Sequence, residues 1–304
     1  MSDLPATLSL REVGPRDGLQ NEAPVSTQAK VELLDALSAT GVGRIEAVSF
    51  VSPKAIPQMA DADDVWAGIA RNADVRYSAL VPNLRGAQRA LSAGFREIEV
   101  VVSASDTHNR KNINRGTDES LDEIAELIET AHSVDAKVQV VVATAWGCPY
   151  EGDVPVERVV SVAGRALADG ADGISFGDTT GMATPGRVTR LIGELRSAHP
   201  AAAVNLHFHN TRGTGLANVV AALQLGVNDF DASVGGLGGC PYAPGASGNV
   251  ATEELVHMVE DMGVSTGIDL EAMIDAAATA ERIVGRTLPS QVLRAGPRTR
   301  LAAQ

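Results

Sequence analysis

His207 and His209 stand two residues apart in NLHFHNTRG (205–213), in a chain that has six histidines in all. In a β-strand, residues i and i+2 point to the same face with Cα atoms about 6.5 Å apart. Two imidazoles meeting at one point suit a metal ion, and a hydrogen-bonded pair of strand histidines is the alternative reading of this segment alone. Other segments hold polar groups of comparable interest. In REVGPRDGLQNE (11–22), Gly14, Pro15 and Gly18 shape a turn around Arg16 and Asp17. Asp17 could give a carboxylate to a cation and Arg16 a fixed positive charge, or the two could simply pair. Glu46 sits in the middle of RIEAVSF (44–50), where a buried carboxylate is costly unless paired. Pairing with Arg16 would satisfy it, and proton transfer is the sharper role.

Positioning these groups together requires a particular fold. Short β-branched runs at 8–13, 44–50, 75–81, 97–104, 137–146, 173–178, 204–210 and 229–236 alternate with amphipathic stretches near 26–40, 61–72, 84–93, 118–134, 155–169, 185–198, 213–225 and 251–262. Ser26, Asp118 and Thr184 are expected to cap helices, and Gly41, Gly94, Gly170 and Gly226 to end them. Eight unbroken βα units predict an α/β fold, a closed (β/α)₈ TIM barrel. No linker divides the chain, so residues 1–304 are expected to be one catalytic domain. Residues 264–304 would form its extension, with one extra C-terminal helix over 269–286 and a tail.

Chemistry in such barrels sits at the C-terminal strand ends. That face would gather His207 and His209 after strand seven, Asp17 after strand one, and Asp178 in FGDTTG after strand six. Strand eight runs into GGLGGCPYAPGASGN (235–249), with six glycines in fifteen residues. It reads as a lid that brings in Cys240, and Asn249 at its end could return an amide oxygen. Asp17, His207, His209 and Asn249 then add up to two imidazoles, a carboxylate and a carbonyl. This mixed N/O set suits Mg²⁺ or Mn²⁺ rather than structural zinc.

The remaining composition narrows the class. A length of 304 residues and an apolar fraction of 44% accommodate one barrel of about 250 residues and its core. No apolar run approaches the roughly 18–20 residues of a membrane span. The start MSDLPATLSL lacks the pattern of a secretory signal. A net charge of −13 argues against nucleic-acid binding. Two cysteines make no disulfide framework. A cytoplasmic protein binding neither nucleic acid nor membrane is expected.

GPRDGLQNE, IEAVSFVSPK, KNIN, GDTTGMATPG, the His-x-His segment and GGLGGCPYAPGASGN together resemble the 3-hydroxy-3-methylglutaryl-CoA lyase family, from about residue 8 to about residue 275. That family belongs to a group of metal-dependent lyases and Claisen-type synthases on (β/α)₈ barrels. The resemblance implies retro-Claisen cleavage of an acyl-CoA substrate to acetyl-CoA and acetoacetate. It also implies Asp17, His207, His209 and Asn249 as metal ligands, Arg16, Glu46, Asp178 and Cys240 as catalytic-site residues, and a homo-oligomer, commonly a dimer. The anionic CoA would need Lys54 and, from HNRKNIN (108–114), Arg110, Lys111 and Asn112. Asn210, Arg212, the centre of GDTTGMATPG and the segment SASDTHNRKNIN depart from the family's usual residues. A lyase for citramalyl-CoA or a longer branched 3-hydroxyglutaryl-CoA, and an acetyl-CoA-condensing synthase, are therefore the alternatives carried forward.

Overall fold

The computed structural model describes residues 4–239 and 248–301. Eight strands, β1 (Ser9–Glu12), β2 (Arg44–Ser49), β3 (Arg76–Val81), β4 (Glu97–Ser103), β5 (Lys137–Ala143), β6 (Gly173–Gly177), β7 (Val204–His207) and β8 (Asp229–Ala232), pair in parallel in sequence order. Pairing of β8 back onto β1 closes the sheet, so the fold is a (β/α)₈ barrel.

Strand alternation builds two layers. On β4 and β5, Ile98, Val100, Val102, Val138, Val140 and Val142 are buried in the core shared with the helices. The intervening Glu99 instead meets Arg11 of β1 across the barrel interior. The helices are α1 (Thr27–Ser38), α2 (Ala62–Gly68), α3 (Leu84–Ser92), α4 (Asp106–Ile113), α5 (Thr117–His132), α6 (Val156–Ala168), α7 (Pro185–Ala198), α8 (Gly215–Gln224), α9 (Thr252–Asp261), α10 (Leu270–Val284) and α11 (Gln291–Ala295). In α5 the buried Thr117, Leu121, Ile124, Ile128 and Ala131 recur every three to four residues, which is one face of a helix.

Several boundaries differ from expectation for identifiable reasons. Strand β7 ends at His207, and His209 lies beyond it in an antiparallel bridge to Asn249. Strand β8 ends at Ala232, after which Val234–Gly236 makes a single tight turn with Gly235 at φ 66°. A Cβ at Gly235 would lie 2.2 Å from Leu288 Cδ1, so the close approach of the C-terminal segment requires glycine there. The HNRKNIN loop is largely helix α4, capped by Ser105, whose hydroxyl accepts from His108 N. Asp118 does not cap α5: the cap is Gly116, whose N–H donates to Glu119 Oε2. The tail is also ordered in part, as α11, and Arg286, Arg298 and Arg300 pair with Glu22, Asp261 and Glu271. Among the described residues, no helix is long and apolar enough to cross a membrane.

Candidate metal centre

After β1 the backbone closes a single π-type turn over Gly14–Gly18, with Asp17 N donating to Val13 O at 2.7 Å. Buried Glu12 braces it: Oε1 accepts from Gly14 N (2.7 Å) and Val234 N (2.9 Å), and Oε2 from the Thr252 hydroxyl. The turn lifts Arg16 and Asp17 together. Asp17 Oδ1 accepts from Arg16 Nη1 (2.8 Å) and Gln20 Nε2 (3.2 Å). Asp17 Oδ2 accepts from Asn249 Nδ2 (2.8 Å) and lies 4.0 Å from His207 Nε2.

His209 is brought to the same point by its bridge to Asn249, and Val250 N donates to Phe208 O beside it. Asp17, His207 and His209 each offer a ligand atom within 4.8 Å of the others. Asn249 completes the set. Its Nδ2 is taken by Asp17 and by Leu237 O (3.0 Å), while its Oδ1 is buried with no partner among the described residues. His209 Nδ1 is likewise buried and, among the described residues, unpartnered. Gly238, at φ 104°, lets the chain pass this close: a Cβ there would fall 2.4 Å from Asn249 Nδ2. An orphaned amide oxygen, an orphaned imidazole nitrogen and a carboxylate beside a second imidazole fit a divalent cation of the Mg²⁺ or Mn²⁺ type.

The electrostatics agree. Burial, with the nearby charge of His207, pushes His209 down to about 4, so it is neutral and able to donate a lone pair. Burial opposes charging of His207, but its hydrogen bond to Asp231 and the Asp17 carboxylate outweigh that and raise it. A field that favours a proton at His207 also favours a cation. Burial would raise Asp17 too, yet Arg16 and the histidines hold it below the ordinary carboxylate value.

Arg16 and Glu46 are brought together as the sequence suggested: Arg16 Nε donates to Glu46 Oε2 at 2.6 Å, and Glu46 Oε1 has no partner among the described residues. Asp178 sits just past β6. Its Oδ1 accepts from Met182 N and Ala183 N (2.7 and 3.0 Å), and its Oδ2 is buried and, among the described residues, unpartnered. Burial raises its pKa to about 6. Cys240 lies outside the described residues. The expected CoA contacts are on exposed surface: Lys54 in the turn after β2, and Arg110, Lys111 and Asn112 on α4. Arg110 is engaged by Asp106 at 2.7 Å, and Lys111 lies over the Tyr150 ring. Sequence reasoning missed Asp231, whose Oδ2 accepts from His207 Nδ1 at 3.1 Å. The available signal was an acidic residue inside a barrel strand, the same signal that had drawn notice to Glu46.

The HMGL-like family model matches residues 7–280. The chain is 48% identical over 290 residues to hydroxymethylglutaryl-CoA lyase YngG of Bacillus subtilis, covering 95% of this chain and 97% of that protein. It is 44% identical over 302 residues to the cytoplasmic 3-hydroxy-3-methylglutaryl-CoA lyase of Rattus norvegicus, covering 99% of this chain and 88% of that one. A solved HMG-CoA lyase of Acinetobacter baumannii, in complex with coenzyme A and 3-methylmalate, superposes with a TM-score of 0.94 at 45% identity over 100% of both chains. On sequence, fold and full-length coverage alike, the chain belongs to the HMGL-like family.

Proposed function

We propose that this chain is a divalent-metal-dependent carbon–carbon lyase that cleaves 3-hydroxy-3-methylglutaryl-CoA to acetyl-CoA and acetoacetate. The observation that carries the reading is the convergence of Asp17, His207, His209 and Asn249 beside Arg16, in a chain so similar to lyases named for that reaction. Those four residues would hold the ion, which when bound supplies Lewis acidity at the substrate's 3-hydroxyl and distal carboxylate.

The chain's own residues account for the rest. The reaction removes the 3-hydroxyl proton, breaks C2–C3 and leaves an acetyl-CoA enolate that must be protonated. Arg16 is fixed by Glu46 on one side and Asp17 on the other. Among the described residues its Nη2 makes no hydrogen bond, which leaves that donor for the thioester oxygen. A donor aimed where charge develops acts chiefly in the transition state. Asp178, with a free Oδ2 and a pKa near 6, is suited to accept the hydroxyl proton. Cys240, Glu46 or a water would return a proton to the enolate carbon. Lys54, Lys111, Asn112 and, once freed from Asp106, Arg110 would face the CoA phosphates. We read residues 1–304 as one catalytic unit, cytoplasmic and homodimeric, with size-exclusion chromatography as the check on assembly.

Two of the departures from the family pattern have local backbone duties. Asn210 Oδ1 accepts from Gly215 N at the start of α8 (3.1 Å), and Arg212 Nη1 donates to Thr180 O and Gly181 O (2.6 and 2.9 Å). With those side chains engaged by backbone, the full-length similarity to lyases named for 3-hydroxy-3-methylglutaryl-CoA favours that substrate over an altered acyl group. The test is acetyl-CoA release from it, from citramalyl-CoA and from a longer branched analogue, with and without EDTA. Release from the first, abolished by EDTA and restored by Mg²⁺ or Mn²⁺, is expected. Preference for another substrate, or full activity under chelation, would overturn the reading.

A further inference from the structure

Below the metal centre, the barrel interior carries a group of charges to which the proposed reaction assigns no part. Arg11 of β1, only 2% exposed, presents its guanidinium fork to Asp231 of β8, with Nε 2.9 Å from Oδ1 and Nη2 2.8 Å from Oδ2. Its Nη1 donates across the barrel to Glu99 of β4, itself 3% exposed. Asp231 Oδ1 also accepts from Asn205 Nδ2 (3.1 Å) and Oδ2 from His207 Nδ1 (3.1 Å). With four N–H donors on its two oxygens, this carboxylate has no room to rotate. Barrel interiors are ordinarily filled by branched apolar side chains. Buried ion groups give little net stability over such packing, so stability alone does not explain this one. What the arrangement fixes is geometry. A hydrogen bond from Nδ1 to a carboxylate sets the histidine tautomer and leaves Nε2, which faces Asp17, with its lone pair.

We propose that Arg11, counter-charged by Glu99, is a positioning residue for the metal centre, holding Asp231 in the one orientation that locks the ring of His207 with Nε2 as donor. The inference rests on the reading of His207 as a ligand. The forked contact matters as much as the charge, because only a guanidinium can engage both oxygens of Asp231 while still reaching Glu99.

The test uses the full chain stripped of metal and titrated with Mn²⁺, with free Mn²⁺ followed by electron paramagnetic resonance. It is paired with ¹⁵N NMR of the His207 ring in the metal-free protein, read at a pH above the raised titration of that ring so that it is neutral. Arg11→Lys keeps the charge and loses the fork. It is expected to weaken Mn²⁺ binding by about 10–100-fold and to abolish the Nδ1–H form as the sole His207 tautomer. Glu99→Gln keeps an acceptor for Nη1 and is expected to bind Mn²⁺ close to wild type. Arg11→Met strands two carboxylates and could fail to fold, which is why Arg11→Lys carries the decision. Wild-type Mn²⁺ affinity with an unchanged His207 tautomer in Arg11→Lys would reduce Arg11 to a structural ion pair and overturn the proposal. Absence of Mn²⁺ binding by the wild-type chain would instead overturn the ligand reading on which it rests.

Discussion

Arg16 is held on two sides, by Glu46 at 2.6 Å and Asp17 at 2.8 Å, so its guanidinium is pre-oriented before any substrate arrives. Arg16→Gln removes the charge but not the metal donors. Turnover is expected to fall by about 10²–10³-fold, with Mn²⁺ affinity retained. Steady-state kinetics beside a Mn²⁺ titration check this, and near-normal turnover would remove Arg16 from the chemistry. His209→Ala deletes a donor whose neutral form is already secured by burial, so metal affinity and activity should fall together. The proposed metal donors drew notice in the sequence because histidine, aspartate and asparagine are poor fillers for a barrel mouth and stood in the segments that follow strands. Asp231 and Arg11 were not. Their partners are 24 and 220 residues away along the chain, and nothing local in LSLREV or DFDASVGG says which charge faces which across the barrel.

Turns and caps between strands and helices set where these side chains meet. Glu12 ties the end of β1 to the turn before Asp17, to Val234 and to Thr252. Burial raises its pKa to about 7, against three hydrogen bonds that favour the anion. The folded state therefore keeps a proton that the unfolded chain releases from about pH 4.3 upward. Stability from this group is complete below that value and is lost as pH rises through about 7. Glu12→Gln keeps a carbonyl for both backbone donors, and the Thr252 hydroxyl can turn to accept. Urea midpoints are expected to fall less steeply between about pH 4.3 and 7 in this variant than in wild type; parallel curves would contradict that. Ser105→Ala should cost about 0.5–2 kcal/mol by uncapping α4, read by urea denaturation. The alternation of strands and helices was readable because its periods differ. Helix α4 was not: DTHNRKNI is almost wholly polar and has no apolar stripe to announce it. The end of β7 was misplaced because its alternating pattern continues through His209, although the pairing there passes from β8 to the segment at Asn249.

Across the whole molecule, the proposed metal donors come from the turn after β1, from the end of β7 and from the segment just before α9, so a bound cation would tie the start of the barrel to its close. A ligand bound only by the folded state stabilises it by mass action, by roughly 2.7 kcal/mol at a hundredfold excess over Kd. Saturating Mn²⁺ should therefore raise the thermal midpoint and EDTA reverse the rise, with Asp17→Asn blunting both. The C-terminal segment packs Leu288 against Gly235, just past the end of β8. Anomalous diffraction at the manganese edge, from crystals grown with Mn²⁺, tests the proposed metal centre itself. A single strong peak bonded to Asp17, His207, His209 and Asn249 is the predicted result. A peak elsewhere, or none at those four donors with Mn²⁺ in excess, would contradict the account.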